Sequence, residues 1–481
     1  MNAYEDPNRW KALALLGVAY LMVVLDVSIV NVALPSIQKE LDFSPENLQW
    51  VISAYSLTFG GFLLLGGRVG DILGRRWLFM VGLGAFALFS LACGLATSSG
   101  MLIAFRALQG LGGAILSPSV FSIVSVTFRE GSERNQALGI LGAIAGSGAA
   151  IGVLAGGVLT EYAGWEWIFF VNVPIGIGAL FLVPLFVRES RAQDMVRHFD
   201  TAGAVTVTAS LMLLVYGLTQ STTNGWGSFQ TIGSLIGSAI LMAAFLWIEN
   251  RSRSPLVPLS FFRRRTPTGA NIIGFGLGTM VFGMFFLLSL YMQQVLGFSA
   301  LKTGVGYLAV ALTAVVASGA AQALVTKLGV KPVLVTGLSL LGAGLIYFTQ
   351  VSVGGSYVGD LLPGFLLIGV GLGFSFVPVS IAALAGVTGR DAGLASGLIN
   401  TSQQIGGALG LAILTTIATT HADNLLEEGQ DPAHAFTSGY SLAFWAGVGF
   451  AAISVIATIF ALKREDLAVQ TGAGPAPAEA R

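Results

Sequence analysis

Two charged residues lie well inside long apolar stretches, Asp26 in the run 11–34 and Arg106 in the run 101–126. If these runs cross a bilayer, each buried charge costs at least about 2.5 to 3.5 kcal/mol and must be compensated or functional. A buried carboxyl can take up and release a proton, and a nearby guanidinium shifts that equilibrium electrostatically. We therefore predict that Asp26 is a proton or substrate-charge coupling residue tuned by Arg106. The alternative is a polar contact that only clamps one helix to its neighbour.

The spacing of residues around Arg106 indicates which side of its helix faces the interior. Gln109, Gly110, Gly113 and Ser117 fall on the same side as Arg106 at helical periodicity. At 1.5 Å per residue, Asp26 lies about 22 Å from the start of its run, and Arg106 lies about 8 Å from the start of a run of opposite direction. Both residues therefore occupy roughly one layer of a bilayer, and a direct or exchanged ion pair is expected.

The whole chain is apolar enough to require a membrane around these residues. Of 481 residues, 54% are hydrophobic and only 10% are charged, and the mean hydropathy is +0.80. Apolar runs recur along the chain with brief polar breaks, and the first is too long for a cleaved signal peptide. We expect an all-α integral membrane protein with its first helix retained.

Several functional classes have no support in the sequence. Lys and Arg (24) balance Asp and Glu (24), so the basic excess of a nucleic-acid-binding protein is missing. The single cysteine, Cys93, and three histidines in polar segments predict neither a disulfide nor a metal site. No phosphate-binding Gly-Lys-Ser/Thr sequence and no catalytic motif occurs. We expect no enzyme activity, no catalytic residue, no cofactor, no metal and no use of ATP.

A membrane-spanning helix needs about 20 apolar residues, and the sequence offers fourteen such runs. They lie at about 11–34, 48–67, 77–97, 101–126, 136–160, 167–187, 201–219, 230–248, 269–293, 303–326, 333–351, 358–384, 392–418 and 437–462.

Basic residues fix the expected direction of insertion, because Lys and Arg are retained on the cytoplasmic side. With both termini cytoplasmic, the inner segments hold 21 of the 24 basic residues, all except Lys39, Lys302 and Arg106. We expect a multi-pass protein of the bacterial plasma (inner) membrane with both termini in the cytoplasm.

An internal repeat divides the chain. The segment 71–83 aligns without a gap to 326–338, and both join two helices on the predicted cytoplasmic side. Two parallel six-helix halves are therefore expected, with two extra helices between them. The predicted divisions are an N-terminal six-helix half at 1–187, two additional helices with a cytoplasmic linker at 188–268, a C-terminal half at 269–462 and a disordered cytoplasmic tail at 463–481.

Two further patterns concern helix contacts. The loop from Gly67 to Arg76 is compact and carries both charges, and we interpret it as a charge latch between helix ends; its key residues are Gly67, Asp71, Gly74, Arg75 and Arg76. The fifth run carries a glycine strip that permits close helix packing, either static or at a moving interface. Its members are Gly148, Gly152, Gly156 and Gly157.

On these motifs the chain resembles the major facilitator superfamily, and within it the fourteen-helix drug:proton antiporters of the EmrB/QacA type. The segment 25–35 with Asp26 is similar to the helix 1 signature of that branch, and 67–76 to the superfamily's cytoplasmic loop. The segment 106–114 is similar to the helix 4 motif whose arginine is associated with proton coupling. The resemblance implies the major facilitator fold and a latching role for Asp71, Arg75 and Arg76 during alternating access.

The chain departs from the family pattern at two positions. Val153 follows Gly152 where the antiporter motif usually has proline, and Glu166 stands where an arginine is usual. The missing proline removes an expected helix irregularity, which weakens the link between the motif and the direction of transport.

We therefore expect a proton-coupled exporter that moves lipophilic small molecules, cationic ones among them, outward by alternating access. Its partners would be that substrate, protons and membrane lipid, with no nucleic acid. Residues that could line its cavity, or that could simply pack, are Asn31, Tyr55, Gln109, Phe282, Phe285, Asn400 and Gln404. Alternatives are a dedicated exporter of one metabolite, antibiotic or lipid and, in another class, a membrane sensor without transport. A proton-coupled peptide importer fits less well, because the first helix lacks a Glu-x-x-Glu-Arg pattern.

Overall fold

The computed structural model describes residues 7–129, 132–190, 200–252, 255–385 and 392–463. These residues form helices, and no strand occurs among them. The first ten helices are α1 (Arg9–Glu40), α2 (Pro45–Leu48), α3 (Trp50–Leu73), α4 (Arg75–Gly94), α5 (Ser99–Thr127), α6 (Ser132–Tyr162), α7 (Trp167–Phe170), α8 (Asn172–Phe186), α9 (Thr201–Asn224) and α10 (Phe229–Arg251).

The remaining helices include three short irregular turns, which are 3₁₀ or π-helical. The 3₁₀ turn is Leu259–Arg263, and the π turns are Tyr291–Val295 and Tyr357–Leu361. The regular helices are α11 (Arg265–Leu290), α12 (Ala300–Leu328), α13 (Val330–Phe348), α14 (Leu362–Ala383), α15 (Ala392–Glu427) and α16 (Pro432–Ala461).

Thirteen helices within the described residues are long and apolar enough to cross a membrane. The fifth predicted span corresponds to α6, a 31-residue helix whose apolar part in the described residues, Ala150–Tyr162, is shorter. The backbone amides of such helices are satisfied internally, which is the condition for crossing hydrocarbon. The predicted all-α, multi-pass membrane fold is confirmed.

Contacts divide the chain into two compact units. The first comprises the residues up to Leu256 together with Leu288–Leu308, and the second comprises Val257–Leu287 and the residues from Ala309 onward. In the first unit α5 packs on α3 and α4, and α1 packs on α6 and α8. In the second unit α13 packs on α14 and α16, and α15 packs on α16. The boundaries at 187 and 269 rest on the sequence repeat and stay a prediction, and most of the predicted tail lies outside the described residues.

The two additional helices pack on the first unit. α9 and α10 lie against each other, and α9 also contacts α3. The buried side chain of Gln49 donates a hydrogen bond to Thr219 Oγ1 on α9 (2.9 Å), and the Thr208 side chain fills the space beside Gly61 on α3. A small residue facing a hydroxyl is a common way for membrane helices to approach closely.

The internal repeat has a counterpart in side-chain contacts within each unit. Arg76, at the start of α4, donates from Nη1 to the carbonyl of Val187 just after α8 (3.3 Å). Lys331, which the repeat aligns with Arg76, donates from Nζ to the carbonyls of Ile459 (2.5 Å) and Leu462 (3.4 Å) at the end of α16. A cation stabilises the negative end of a helix in both cases.

The glycine strip of α6 is used on two sides. A Cβ at Gly148 would lie 2.9 Å from Val24 on α1, and a Cβ at Gly152 would meet Ser28 of the same helix. A Cβ at Gly157 would instead lie 2.9 Å from the carbonyl oxygen of Ala300. α6 runs without interruption past Val153, where the usual proline is missing.

Gly156→Ala tests this packing. The added Cβ would lie 2.7 Å from the carbonyl oxygen of Ile29, and a backbone atom cannot move aside cheaply. We expect a loss of about 1 to 3 kcal/mol in unfolding free energy, typical of overpacking. Gly139→Ala on the same helix is the matched control, because its Cβ meets nothing within 4 Å. Thermal unfolding in one detergent would contradict the packing model if both variants had the same midpoint.

Candidate functional site

Asp26 and Arg106 meet in a fully buried ion pair. Asp26 on α1 is 0% exposed and Arg106 on α5 is 1% exposed, and Arg106 Nη1 lies 2.5 Å from Asp26 Oδ2. The helical rise per residue predicted that Asp26 and Arg106 lie in the same layer of the bilayer. In the structure the two side chains are in contact. Removing one partner from such a pair typically costs 3 to 5 kcal/mol, because the other charge stays buried.

Two amides complete the surroundings of the carboxylate. Gln109 Nε2 donates to Asp26 Oδ1 at 2.7 Å, and Asn172 Nδ2 donates to the same oxygen at 3.2 Å. Both amides also donate to Ser90 Oγ on α4, at 3.3 and 3.0 Å. Ser90 in turn donates to the carbonyl of Phe169 at 2.9 Å. Side chains from four helices, α1, α4, α5 and α8, therefore form one continuous hydrogen-bond network that ends on a backbone carbonyl of α7.

Arg106 has partners besides the carboxylate. Its Nε donates to the carbonyl of Val51 (2.8 Å), and Nη1 also donates to Gln109 Oε1 (2.7 Å). The guanidinium carbon lies 4.3 Å from the ring centroid of Tyr55 and 5.6 Å from that of Phe169. Such cation–π contacts contribute about 2 kcal/mol when they are desolvated. The positive charge therefore keeps several stabilising contacts when Asp26 is neutral.

The net charge of the network depends on whether Asp26 is ionised or protonated. With Asp26 ionised, the pair is neutral overall and the carboxylate accepts three hydrogen bonds. Protonation of Asp26 cancels its charge, weakens those bonds and leaves a net positive charge on a guanidinium that other groups still hold. The two protonation states differ by one full charge in a low-dielectric interior, which is a large electrostatic change.

Ser90 and Asn172 were missed by the sequence reasoning. Asn172 is a buried polar residue at the start of an apolar helix, and that polarity was the available signal. Ser90 offered no comparable signal in the sequence, since isolated serines are common in membrane helices. Cys93, also buried, lies near this network, with Sγ 3.7 Å from Gln109 Oε1.

The predicted latch residues lie at the junction of α3 and α4. Gly67 packs against Pro118, and Gly74 adopts φ of +125°, a conformation that favours glycine. Arg75 Nε donates to Ser122 Oγ at 2.7 Å. Asp71 lies in α3, but its side chain is outside what the structure describes. The latching role of the loop stays a prediction.

Glu189 is an acidic member of this junction that the sequence reasoning did not single out. Its two carboxylate oxygens accept from the backbone amides of Arg76 (3.1 Å) and Trp77 (3.0 Å), the first free amides of α4. A carboxylate at a helix N-terminus satisfies unpaired donors and complements the helix dipole. Glu189 lies three residues after the end of α8, so it ties that end to the start of α4.

Glu189→Ala is expected to lower the unfolding free energy by about 1 kcal/mol through loss of this cap. Glu161→Ala is the control, since Glu161 is exposed at the end of α6. Unfolding midpoints of the purified proteins in one detergent would measure the difference. Equal midpoints for the two variants would show that the cap contributes nothing.

The predicted cavity residues fall in both units. In the first unit, Gln109 belongs to the hydrogen-bond network and the Tyr55 ring contacts the Arg106 guanidinium. Asn31 donates from Nδ2 to the carbonyl of Val27 (3.0 Å). In the second, the ring of Phe282 packs against Gly407, and Asn400 is exposed and donates to the carbonyl of Ser396 (2.8 Å).

The other two predicted cavity residues are also partly buried. Phe285 lies on α11, and Gln404 lies on α15 with a buried Oε1 that accepts no hydrogen bond. A lining role for all seven residues stays a prediction. No cluster of three or more His, Cys, Asp or Glu side chains suited to a metal ion occurs in the described part of the chain.

Comparison with known proteins identifies the family. The model of the Major Facilitator Superfamily matches residues 16–411. The chain is 38% identical to a puromycin resistance protein of Streptomyces alboniger, over 99% of this chain and 96% of that protein. It is 39% identical to a cephamycin export protein of Amycolatopsis lactamdurans, over 84% of each.

A solved structure supports the same fold. A bacterial homologue of the human lysosomal transporter Spinster superposes with a TM-score of 0.68 at 18% identity, covering 98% of this chain and 100% of that one. The chain is therefore a transporter of the Major Facilitator Superfamily, built as two six-helix halves with two additional helices, and it is not an enzyme.

Proposed function

We propose that this protein exports lipophilic small molecules across the bacterial plasma membrane and that protons moving inward drive the export. The observation that carries the proton coupling is the buried pair of Asp26 and Arg106, 2.5 Å apart inside apolar helices. A buried acid of this kind in a membrane transporter marks an ion pathway more often than a structural contact. Its hydrogen-bond network provides two states of different charge.

The direction of transport is supported by the relatives. One is named as a puromycin resistance protein and another as a cephamycin export protein, and a third, from Mycobacterium tuberculosis, is named as a multidrug resistance protein (34% identical over 87% of this chain and 78% of that one). Resistance and export both require outward movement. The basic residues at alternate helix ends support cytoplasmic termini for this chain.

In the alternating-access cycle, the ionised and the protonated form of Asp26 correspond to two different states of the transporter. In one state Asp26 is ionised and paired with Arg106. In the other Asp26 is protonated, and Arg106 rests on the Val51 carbonyl, on Gln109 and on the Tyr55 ring. Because the proton is taken up from the outer side and released to the inner side, substrate moves outward in exchange.

A second candidate is a dedicated exporter of one compound. The names of two relatives each refer to a single antibiotic, which favours a narrow substrate range for this branch. Proton coupling through Asp26 would be the same for a broad exporter and for a dedicated one. Only the number of compounds that compete for transport separates the two candidates.

The test is transport by purified protein in sealed proteoliposomes. With an acidic lumen and cytoplasmic side outward, a lipophilic cationic dye, puromycin and a cephamycin should each be tested for accumulation against their gradients. We expect accumulation that a protonophore abolishes. Mutual competition among the compounds supports broad specificity, and uptake of one alone supports the dedicated exporter. Accumulation that a protonophore leaves unchanged would contradict proton coupling.

A further inference from the structure

The two amides that bind the Asp26 carboxylate differ in how firmly their orientation is held. Gln109 Oε1 accepts a hydrogen bond from Arg106 Nη1 (2.7 Å), while Gln109 Nε2 donates to Asp26 Oδ1 (2.7 Å). A guanidinium can only donate, so the oxygen end of this amide must face Arg106 and the nitrogen end must face Asp26. Gln109 therefore has a single orientation in the network.

Asn172 has no such constraint. Its Nδ2 donates to Asp26 Oδ1 (3.2 Å) and to Ser90 Oγ (3.0 Å). The side chain is 1% exposed, and its Oδ1 is buried and accepts no hydrogen bond from the described part of the chain. An unpaired acceptor is unusual in a buried network whose other members are paired. Because the two ends of an amide are nearly equal in size, a half-turn of Asn172 exchanges them without a change in packing.

The surroundings of the two carboxyl oxygens indicate where a proton binds on Asp26. Oδ2 faces Arg106 Nη1, and a guanidinium cannot accept a hydrogen bond. The proton of neutral Asp26 is therefore favoured on Oδ1, which faces Gln109 and Asn172. With both amides in their present orientation, the new O–H group would point at two N–H donors. One amide must turn its oxygen toward Asp26, and only Asn172 is free to do so.

We propose that Asn172 is a positioning residue for proton coupling, and that its amide makes a half-turn when Asp26 takes up a proton. This inference rests on the proposed proton-coupled function. In the ionised state Nδ2 donates to the carboxylate, as in the present structure. In the protonated state Oδ1 occupies the place of Nδ2 and accepts the hydrogen bond from the Asp26 O–H. The proton stays on Asp26 Oδ1, and one side chain supplies a matching partner for both forms of the carboxyl group.

Ser90 extends the change to a neighbouring helix junction. Its hydroxyl has one proton, which it donates to the carbonyl of Phe169 (2.9 Å) while its oxygen accepts from Asn172. After the half-turn Asn172 Oδ1 faces Ser90 Oγ, so the hydroxyl turns to donate to Asn172 and releases the Phe169 carbonyl. Phe169 lies in α7 and Asn172 begins α8. Protonation of Asp26 thereby changes the hydrogen bonds at the junction of α7 and α8.

Other ionisable side chains also lie near Asp26. Arg106 on α5, Tyr55 on α3 and Cys93 on α4 interact with it electrostatically. Arginine is charged, and tyrosine and cysteine are neutral, at both neutral and mildly acidic pH. α7 and α8 carry no ionisable side chain. The described ionisable side chains of the other helices that pack on α1 lie near helix ends; they are Glu46 on α2 and Glu133, Arg134, Glu161 and Tyr162 on α6.

The test is infrared difference spectroscopy of the full chain in proteoliposomes, with a heavy carbon isotope in the side-chain carbonyl of asparagine. The spectrum at neutral pH is subtracted from that at mildly acidic pH. We expect a carboxylic acid band that Asp26→Asn removes. We also expect an isotope-sensitive amide carbonyl band that moves to lower wavenumber in acid, because a carbonyl stretch weakens when its oxygen accepts a hydrogen bond.

The amide band should disappear in Asp26→Asn and in Asn172→Leu. Asn271→Leu is the matched control, since Asn271 is a buried amide of the second unit whose two ends are both paired. Its Nδ2 donates to the carbonyl of Pro267 (2.8 Å) and its Oδ1 accepts from Ser402 Oγ (2.8 Å). The amide band should therefore remain in Asn271→Leu.

Transport separates a positioning role of Asn172 from a structural one. In Asn172→Leu, gradient-driven accumulation should fall about tenfold, roughly the value of one hydrogen bond. Substrate exchange without a pH gradient should keep its wild-type rate, because neither direction of exchange requires Asp26 to change its charge. A purely structural contact would lower both rates.

Each outcome decides between the two proposals. If acid produces no carboxylic acid band that Asp26→Asn removes, proton coupling through Asp26 is wrong and the half-turn of Asn172 is wrong with it. If that band is present but the Asp26-dependent amide band is absent, or persists in Asn172→Leu, only the half-turn is overturned. The isotope-labelled wild type and Asp26→Asn carry the test by themselves where Asn172→Leu does not fold.

Discussion

Asp26→Asn is expected to abolish proton-driven accumulation of substrate while the protein still folds and inserts. Asparagine is nearly isosteric with aspartate but cannot exchange a proton, and its amide would face donors from Arg106, Gln109 and Asn172. We expect at least about a hundredfold loss of gradient-driven transport, the range in which general acid–base groups contribute. The measurement is accumulation in proteoliposomes with an imposed pH gradient.

The control for this substitution is Asp42→Asn. Asp42 follows α1, is exposed and has a positive φ of 49°, a conformation that asparagine also adopts readily. Asp42→Asn makes the same chemical change outside the hydrogen-bond network, and gradient-driven transport should remain normal. Substrate exchange without a pH gradient should survive in Asp26→Asn, because binding and alternating access remain. Unchanged gradient-driven transport in Asp26→Asn would place the proton site elsewhere.

Arg106→Gln is expected to destabilise the protein more than any surface charge substitution. It leaves the Asp26 carboxylate buried without its cation, and breaking a buried pair costs about 3 to 5 kcal/mol. The double variant with Asp26→Asn removes both charges and should recover about 2 to 3 kcal/mol of that loss as a coupling energy. Unfolding free energies of the four proteins in one detergent give the coupling.

Arg9 and Glu133 provide the comparison for this cycle. They form an ion pair of 2.6 Å whose side chains are 28% and 24% exposed. Partly exposed pairs contribute about 0 to 1 kcal/mol, so the same cycle with Arg9→Gln and Glu133→Gln should give a small coupling. A coupling for Asp26 and Arg106 no larger than for this pair would show that water reaches the buried site.

The transport and unfolding experiments together distinguish proton coupling by Asp26 and Arg106 from a purely structural contact between α1 and α5. If Asp26 and Arg106 only join α1 to α5, the charge-free double variant should be stable and should transport with the gradient. If the pair couples protons, the double variant should be stable yet unable to use the gradient. The hydrogen-bond network fits the second outcome, because Arg106 retains four other contacts when the carboxylate is neutral.

Much of the architecture followed from the sequence alone. Apolar runs of membrane-spanning length set the number of helices, because each run has only one way to satisfy its backbone in hydrocarbon. The fixed rise per residue then set the depth of Asp26 and Arg106, so their shared layer was predictable before any contact was known. The alignment of Arg76 with Lys331 likewise anticipated two equivalent positions at helix ends.

The lateral arrangement could be decided only by the tertiary structure. Helical rise fixes depth but leaves open which helices are neighbours and how each is rotated, and helices that are apolar on all sides give little signal for either. Asn172 donates to Asp26 across 146 residues of chain and to Ser90 across 82 residues, through contacts that no local pattern encodes. Glu189 reaches the start of α4 from 113 residues away for the same reason. The sequence determined what charges are buried and how deep; the packing of α1, α4, α5 and α8 determined which groups hold them.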